Sequence, residues 1–238
     1  MSGHSKWSKV KHQKATTDVL KAAAFTKASR GITVAVMEGG GIIDPEFNFK
    51  LRLAIEKAKQ VNMPGENIKR AIEKASGAGA GALKQETYEG YGPYGVALFI
   101  ETASDNTNRT VSFIKQTLEY AGGSMGSPGS VAYLFERKGV ALLTKTRTFD
   151  DTYTFGANAG ADDVIEADNV FEVYCDAGVL SSLVSAAERE GFMVEESRVV
   201  MRPTLTVPLD DTKQSVLESL VEKLEEHDDI QEVFTTMA

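Results

Sequence analysis

Between residues 76 and 83 the chain runs Ser-Gly-Ala-Gly-Ala-Gly-Ala-Leu, and apolar residues are spaced by different rules on its two sides. A Gly/Ala stretch buries little surface and orders at high entropic cost, so it marks a boundary between separately packed parts. Upstream, the apolar steps are helical. Residues 16–38 read as a helix, with Ala22, Ala23 and Ala24 favouring it and Val19, Phe25 and Ile32 on an inner face. Gly39-Gly40-Gly41 ends that helix. A second helix runs from an N-cap at Asn48 to Val61, with Leu51, Ile55 and Ala58 inward. Pro64-Gly65 breaks the chain, and a third helix from Glu66 turns Ile68, Ala71, Ile72 and Ala75 to one side. Residues 1–76 are therefore expected to form an arm and a three-helix bundle.

Downstream, runs of strand character alternate with helices. Residues 96–100 and 131–135 read as strands around a helix at 108–121, and Glu89-Gly90-Tyr91-Gly92-Pro93 reads as a fixed turn before the first of them. Residues 139–202 follow the order βαββαβ, which is ferredoxin-like. Residues 204–208 read as a strand, 212–226 as a helix with Val216, Leu217, Leu220, Val221 and Leu224 on one face, and 230–235 as a last strand. Segments 85–136 and 203–238 each resemble half of a sheet domain. Pairing them, with 139–202 inserted between, gives an α+β chain of one helical bundle and two sheet domains.

The formal net charge of −8 conceals a division. Residues 1–76 hold 14 Lys and Arg against 7 Asp and Glu, a balance of +7, while residues 77–238 hold 12 against 27, a balance of −15. A basic end on an acidic body is suited to a polyanion. Lys6, Lys9, Lys11 and Lys14 are spread along residues 1–15, which have no apolar stripe to bury, so this segment reads as an exposed arm. Its lysines can neutralise phosphates and release counterions. Trp7 can stack on an unpaired base or plug the bundle, and His12 lies among the lysines. Lys21, Lys27 and Arg30 follow on the first helix and can share a face with the arm. Tyr91, in the turn, and Arg109, beside the Asx caps Asp105 and Asn106, are secondary candidates for contact. Lys57, Lys69, Arg70 and Lys74 are interleaved with Glu56, Glu66 and Glu73 and read as solvated pairs.

Signatures of catalysis are missing from the sequence. It has no G-x-x-x-x-G-K-[ST] and no G-x-G-x-x-G opening a helix. Gly122-Gly123-Ser124-Met125-Gly126 follows a helix, the wrong polarity for a phosphate cradle. His4, His12 and His227 lack ligand spacing, and the acid pairs, Asp228-Asp229 among them, read as caps or solvated groups. No catalytic residue, metal or cofactor is expected. Cys175, the one cysteine, reads as a buried strand residue. The start, Met1 to Trp7, is polar, and no apolar run approaches the ~18 residues of a membrane span, so a cytoplasmic protein without membrane contact is expected. A monomer is the favoured state.

Gly3-His4-Ser5-Lys6-Trp7, Lys11-His12-x-Lys14, Phe25-Thr26-Lys27, Asn62-Met63-Pro64, Tyr88 to Pro93, Asn108 to Val111 and Gly129 to Phe135 together resemble the YebC/PmpR family along the whole chain. The resemblance implies a three-domain, non-enzymatic protein of gene expression. Bacterial members are described as probable DNA-binding transcriptional regulators. Others are described as ribosome-associated factors that assist elongation through proline-rich stretches, and a mitochondrial member activates translation of a cytochrome oxidase subunit. The implied partner is nucleic acid, either DNA or rRNA within the ribosome. This chain departs from the pattern at Gln13, Leu20 and Ala23, where the family is basic, at Ile42-Ile43, an insertion, and at Tyr94, where glycine is usual.

Overall fold

The computed structural model describes residues 18–77 and 83–238. The elements are α1 (Asp18–Glu38), α2 (Phe49–Gln60), α3 (Gly65–Ala75), β1 (Lys84–Tyr91), β2 (Ala97–Ser104), α4 (Thr107–Tyr120) and β3 (Ser124–Met125). They continue with β4 (Phe135–Thr144), α5 (Phe149–Ala159), β5 (Ala161–Glu166), β6 (Val170–Asp176), α6 (Leu180–Arg189), β7 (Val194–Pro203), α7 (Asp211–Glu225) and β8 (Ile230–Thr235). The fold is mixed α+β, with two four-stranded antiparallel sheets among the described residues. The described residues divide into two compact units, one holding 18–134 and 205–238, the other 135–204.

In the first unit the helical bundle closes on Ile32 and Val36 of α1, Leu51 and Ala58 of α2, and Ile68, Ala71 and Ala75 of α3, with Met63 between the last two helices. The α1–α2 connection is set by its own residues. Gly40 and Gly41 have φ of 69° and 84°, where a side chain is strained, and the Gly41 N–H donates to the Val36 carbonyl at 2.9 Å. Asn48 caps α2 by accepting from the Leu51 N–H at 3.1 Å. Its amide, buried, donates to the Ala35 and Ile42 carbonyls at 3.0 and 2.9 Å. A Cβ on Gly39 would stand 2.1 Å from the Asn48 Nδ2, so the glycine is what admits this cap.

The sheet of this unit has the order β3-β1-β2-β8, so the C-terminal strand pairs with β2. Leu98 and Ile100 of β2, Ile114 and Leu118 of α4, Leu217 and Leu224 of α7, and Ile230 of β8 are fully buried. Three local expectations change here. The turn read at 89–93 is the end of a strand, β1, which pairs with β2 from Lys84↔Ser104 to Tyr91↔Ala97. Gly90 permits the neighbouring β3 to approach, since a Cβ there would lie 2.8 Å from the Ser124 carbonyl oxygen. The strand read at 131–135 begins only at Phe135, with a 3₁₀ turn at Ala132–Leu134 before it. The buried Glu89 carboxylate takes the N–H groups of Gly129, Val131 and Ala132 at 2.6, 2.6 and 2.8 Å, and those donors are then lost to a sheet ladder. The strand read at 204–208 reduces to a single bridge, Val207↔Met237.

The second unit follows βαββαβ with spatial order β5-β6-β4-β7, the ferredoxin-like arrangement. Thr148 caps α5 in a reciprocal capping box with Asp151, and Gly160, at φ 85°, ends it. Cys175 lies on β6 fully buried, and burial pushes its thiol up to about 11, which keeps it protonated and inert.

Candidate nucleic-acid interface

Helices α1 and α3 flank a cavity of about 480 Å³ in the first unit. Phe25, Thr26, Ser29, Arg30 and Thr33 line it from α1, which they reach because steps of three and four residues share one helix face. Asn67, Arg70, Ala71 and Lys74 line it from α3 at the same kind of spacing, and Met63, Leu83 and Asp105 complete it. Arg70 and Lys74 are exposed and, among the described residues, neither has an ion-pair partner. Lys69, one residue before Arg70, faces elsewhere and pairs with Glu73 at 4.0 Å. The solvated i,i+4 pairing expected for this helix therefore holds for Lys69 and not for Arg70 or Lys74.

Next to the cavity lies a buried ionic hub. Asp229, fully buried, accepts from Arg109 Nη2 at 2.8 Å and Nε at 3.2 Å, from Thr110 Oγ1 at 2.7 Å and from Ser104 Oγ at 3.0 Å. The Arg30 guanidinium from α1 pairs with its other oxygen. Burial would raise the carboxyl, but the donors on Arg109, Thr110, Arg30 and Ser104 outweigh it and hold the group down at about 2. Arg109 also pairs with the exposed Asp105 at 2.8 Å. His227, whose ring centroid is 4.2 Å from that of Phe113, is held below its ordinary value, chiefly by burial. The sequence reading of Asp228-Asp229 as caps or solvated groups thus fails for Asp229, which is the charge that ties α1 and the start of α4 to the segment before β8.

The residues singled out from the sequence separate into groups. Lys6, Trp7, Lys9, Lys11, His12 and Lys14 lie outside the described residues. Lys21 is exposed in the first turns of α1. Lys27 Nζ donates to the Glu225 carbonyl at 3.3 Å. Arg30 has its side chain 16% exposed and turned to Asp229, and Arg109, 47% exposed, turns to Asp229 and Asp105. Tyr91 is half-buried, and its hydroxyl donates to the Ser130 carbonyl at 2.9 Å, which closes the loop after β3. Sequence reasoning missed Asn67, Arg70 and Lys74 as one group and Asp229 as a hub. For α3 a signal exists, since 67, 70, 71 and 74 recur at helical spacing. For Asp229 none exists.

The profile of the TACO1/YebC N-terminal domain matches residues 5–78, and that of the TACO1/YebC second and third domain matches residues 83–237. The chain belongs to the TACO1/YebC family. A relative from a Nitratiruptor species, named "Probable transcriptional regulatory protein", is 44% identical over 238 residues, with the whole of both chains covered. A relative of the same name from Chloroflexus aggregans is 44% identical over 241 residues, covering 100% of this chain and 95% of its own. Among solved structures, a conserved hypothetical protein from Aquifex aeolicus superposes with a TM-score of 0.85 at 36% identity, over 98% of this chain and 96% of that one. The fold is thus shared with that protein over nearly the full length of both chains. Among the described residues no helix is long and apolar enough to cross a membrane.

Proposed function

We propose that this TACO1/YebC chain is a non-enzymatic, nucleic-acid-binding regulator of gene expression, acting on DNA as a transcriptional regulator. The observation that carries the reading is the segregation of charge, +7 over residues 1–76 against −15 over the remainder. A phosphate backbone exchanges condensed counterions for such a cationic surface, and the acidic remainder is repelled, so the molecule meets the polyanion by one end. The names of the relatives support regulation of transcription. The exposed Arg70 and Lys74 add to the positive end a cationic face beyond the arm. A second target, rRNA within the ribosome, is favoured by Trp7 standing among the arm lysines, since an aromatic stacks on unpaired bases.

Titrating the full chain with duplex DNA across a range of salt tests the reading. Binding is expected to weaken linearly in log salt, and changing Lys6, Lys9, Lys11 and Lys14 together to Glu is expected to cut the slope by about 3–4, at ~0.9 per phosphate contact. A chain truncated before Thr16 that holds nucleic acid as tightly as the whole would overturn it. Sedimentation of an extract separates the two targets. Co-migration with ribosomal subunits that disappears in high salt assigns the arm to rRNA, and promoter-selective shifts without such co-migration assign it to DNA.

A further inference from the structure

We propose that the cleft between α1 and α3 holds one unpaired nucleotide of the bound strand, its phosphate on Arg70 and Lys74 and its base between Phe25 and the polar groups of Asn67 and Ser29. The inference rests on the nucleic-acid reading above and adds to it a site and a ligand class. Three observations lead there. At about 480 Å³ the cleft falls within the ~300–1,000 Å³ of small-molecule sites. Its charge is positive where it opens. Arg30, Arg70 and Lys74 line it against Asp105, and of these Arg30 is engaged by Asp229 and Asp105 by Arg109, two groups outside the lining. The uncompensated charge therefore sits on Arg70 and Lys74, one helical turn apart on α3, where a phosphate can be gripped from two positions. Finally, the lining of the cleft carries an aromatic ring and an amide. Phe25 supplies a flat apolar face from α1. Asn67 has no side-chain hydrogen bond among the described residues, so both its donor and its acceptor are available to a base edge.

A stacked, paired base cannot enter such a cleft, so the ligand is a nucleotide in a loop, a bulge or an extruded position. A free nucleoside monophosphate shares the chemistry. The strand is the source assigned here, because Phe25 lies seven residues into α1, about 10 Å along the helix from the point where the basic arm joins it. Arg30 serves as wall and not as clamp. Its guanidinium is tied to Asp229, which fixes the α1 side of the cleft relative to the sheet.

The test uses the full chain, a stem-loop oligonucleotide with 2-aminopurine in its loop, and the corresponding perfect duplex. Two variants act on the cleft. Ser29→Trp fills it, and Arg70→Ala with Lys74→Ala removes the phosphate grip at exposed positions that do not threaten the fold. Each is expected to weaken loop binding about tenfold or more and to abolish the 2-aminopurine emission change, while Ser29→Trp, which keeps every cation, is expected to shift duplex affinity less than threefold. The four-lysine arm variant is expected to weaken both probes. Loop affinity and emission unchanged in both cleft variants, with the arm variant still impaired, overturns the cleft and leaves the proposed function standing. A wild-type chain that binds neither probe overturns both. Adenosine monophosphate at millimolar concentration serves as the free-nucleotide arm. Displacement of the loop by adenosine monophosphate at strand-equivalent affinity overturns the assignment to a strand, and weak competition that Ser29→Trp removes supports it.

Discussion

Replacing Asp229 with Asn keeps the shape of the hub and removes its charge. In the native chain one buried carboxylate faces two guanidinium groups and two hydroxyls, all within hydrogen-bond distance. The amide offers one acceptor oxygen to these donors and points two N–H bonds at groups that are themselves donors. Breaking a buried ion pair by removing one partner costs about 3–5 kcal/mol, because the remaining charge is left uncompensated. The carboxyl's depression from 3.8 to about 2 independently assigns roughly 2 kcal/mol to ionisation of this group in the folded state. The larger figure is expected at neutral pH, since the substitution also leaves Arg30 facing Arg109. With an m value of about 2 kcal/mol per molar urea, the unfolding midpoint of the first unit drops by roughly 1.5–2.5 M. A depressed carboxyl gives stability that is present above its unfolded value and lost as pH falls through its folded value. The gap between the native chain and Asp229→Asn should therefore be full near pH 6 and narrow steadily from about pH 5 toward pH 3. Adding Arg30→Met to the variant should recover part of the loss by removing one uncompensated cation. Urea unfolding followed by circular dichroism at pH 7 and at pH 3.5 reads all of this. A midpoint shift corresponding to less than about 1 kcal/mol at pH 7, or a gap that widens in acid, would refute the hub as a source of stability.

Glu89→Gln should cost about 1–3 kcal/mol in the same assay, because burial is outweighed by three backbone N–H donors that hold this carboxyl below its ordinary range. The amide protons of Gly129, Val131 and Ala132 should then exchange faster with deuterium, and unchanged exchange removes Glu89 from the loop's support. His227 takes up its proton later in the folded than in the unfolded chain, since burial depresses it, so stability should fall as pH drops below about 6.5. His227→Gln should flatten that part of the pH profile, and an identical profile excludes the histidine. Tyr94 occupies φ 65°, a region open to Gly and Asn and costly to β-branched residues. Tyr94→Asn should change the melting temperature little and Tyr94→Val should lower stability by about 1–2 kcal/mol, while equal effects from both would exclude backbone strain as the cause.

Much of the helical architecture is legible in the sequence because its signals act over a few residues. The triple glycine at 39–41 stops α1, Asn48 caps α2 and Pro64-Gly65 opens α3, each through backbone geometry or one side-chain bond close by. The division of charge is likewise a property of the sequence, needing no coordinates. Strand β1 is not legible there. Its first four residues are exposed and polar, so no apolar alternation announces it, and it exists because β2 supplies a ladder along its whole length. The segment 131–135 misleads for a related reason, since Glu89, 40 residues away and more, claims its N–H groups. Asp229 makes the contrast sharpest. Asp228 beside it is chemically identical, yet only Asp229 becomes the buried anion, through Arg109 and Arg30, 120 and 199 residues distant. Such a pairing is decided only when the chain closes on itself, because the free energy of a buried charge depends on which groups surround it and not on which residues precede it.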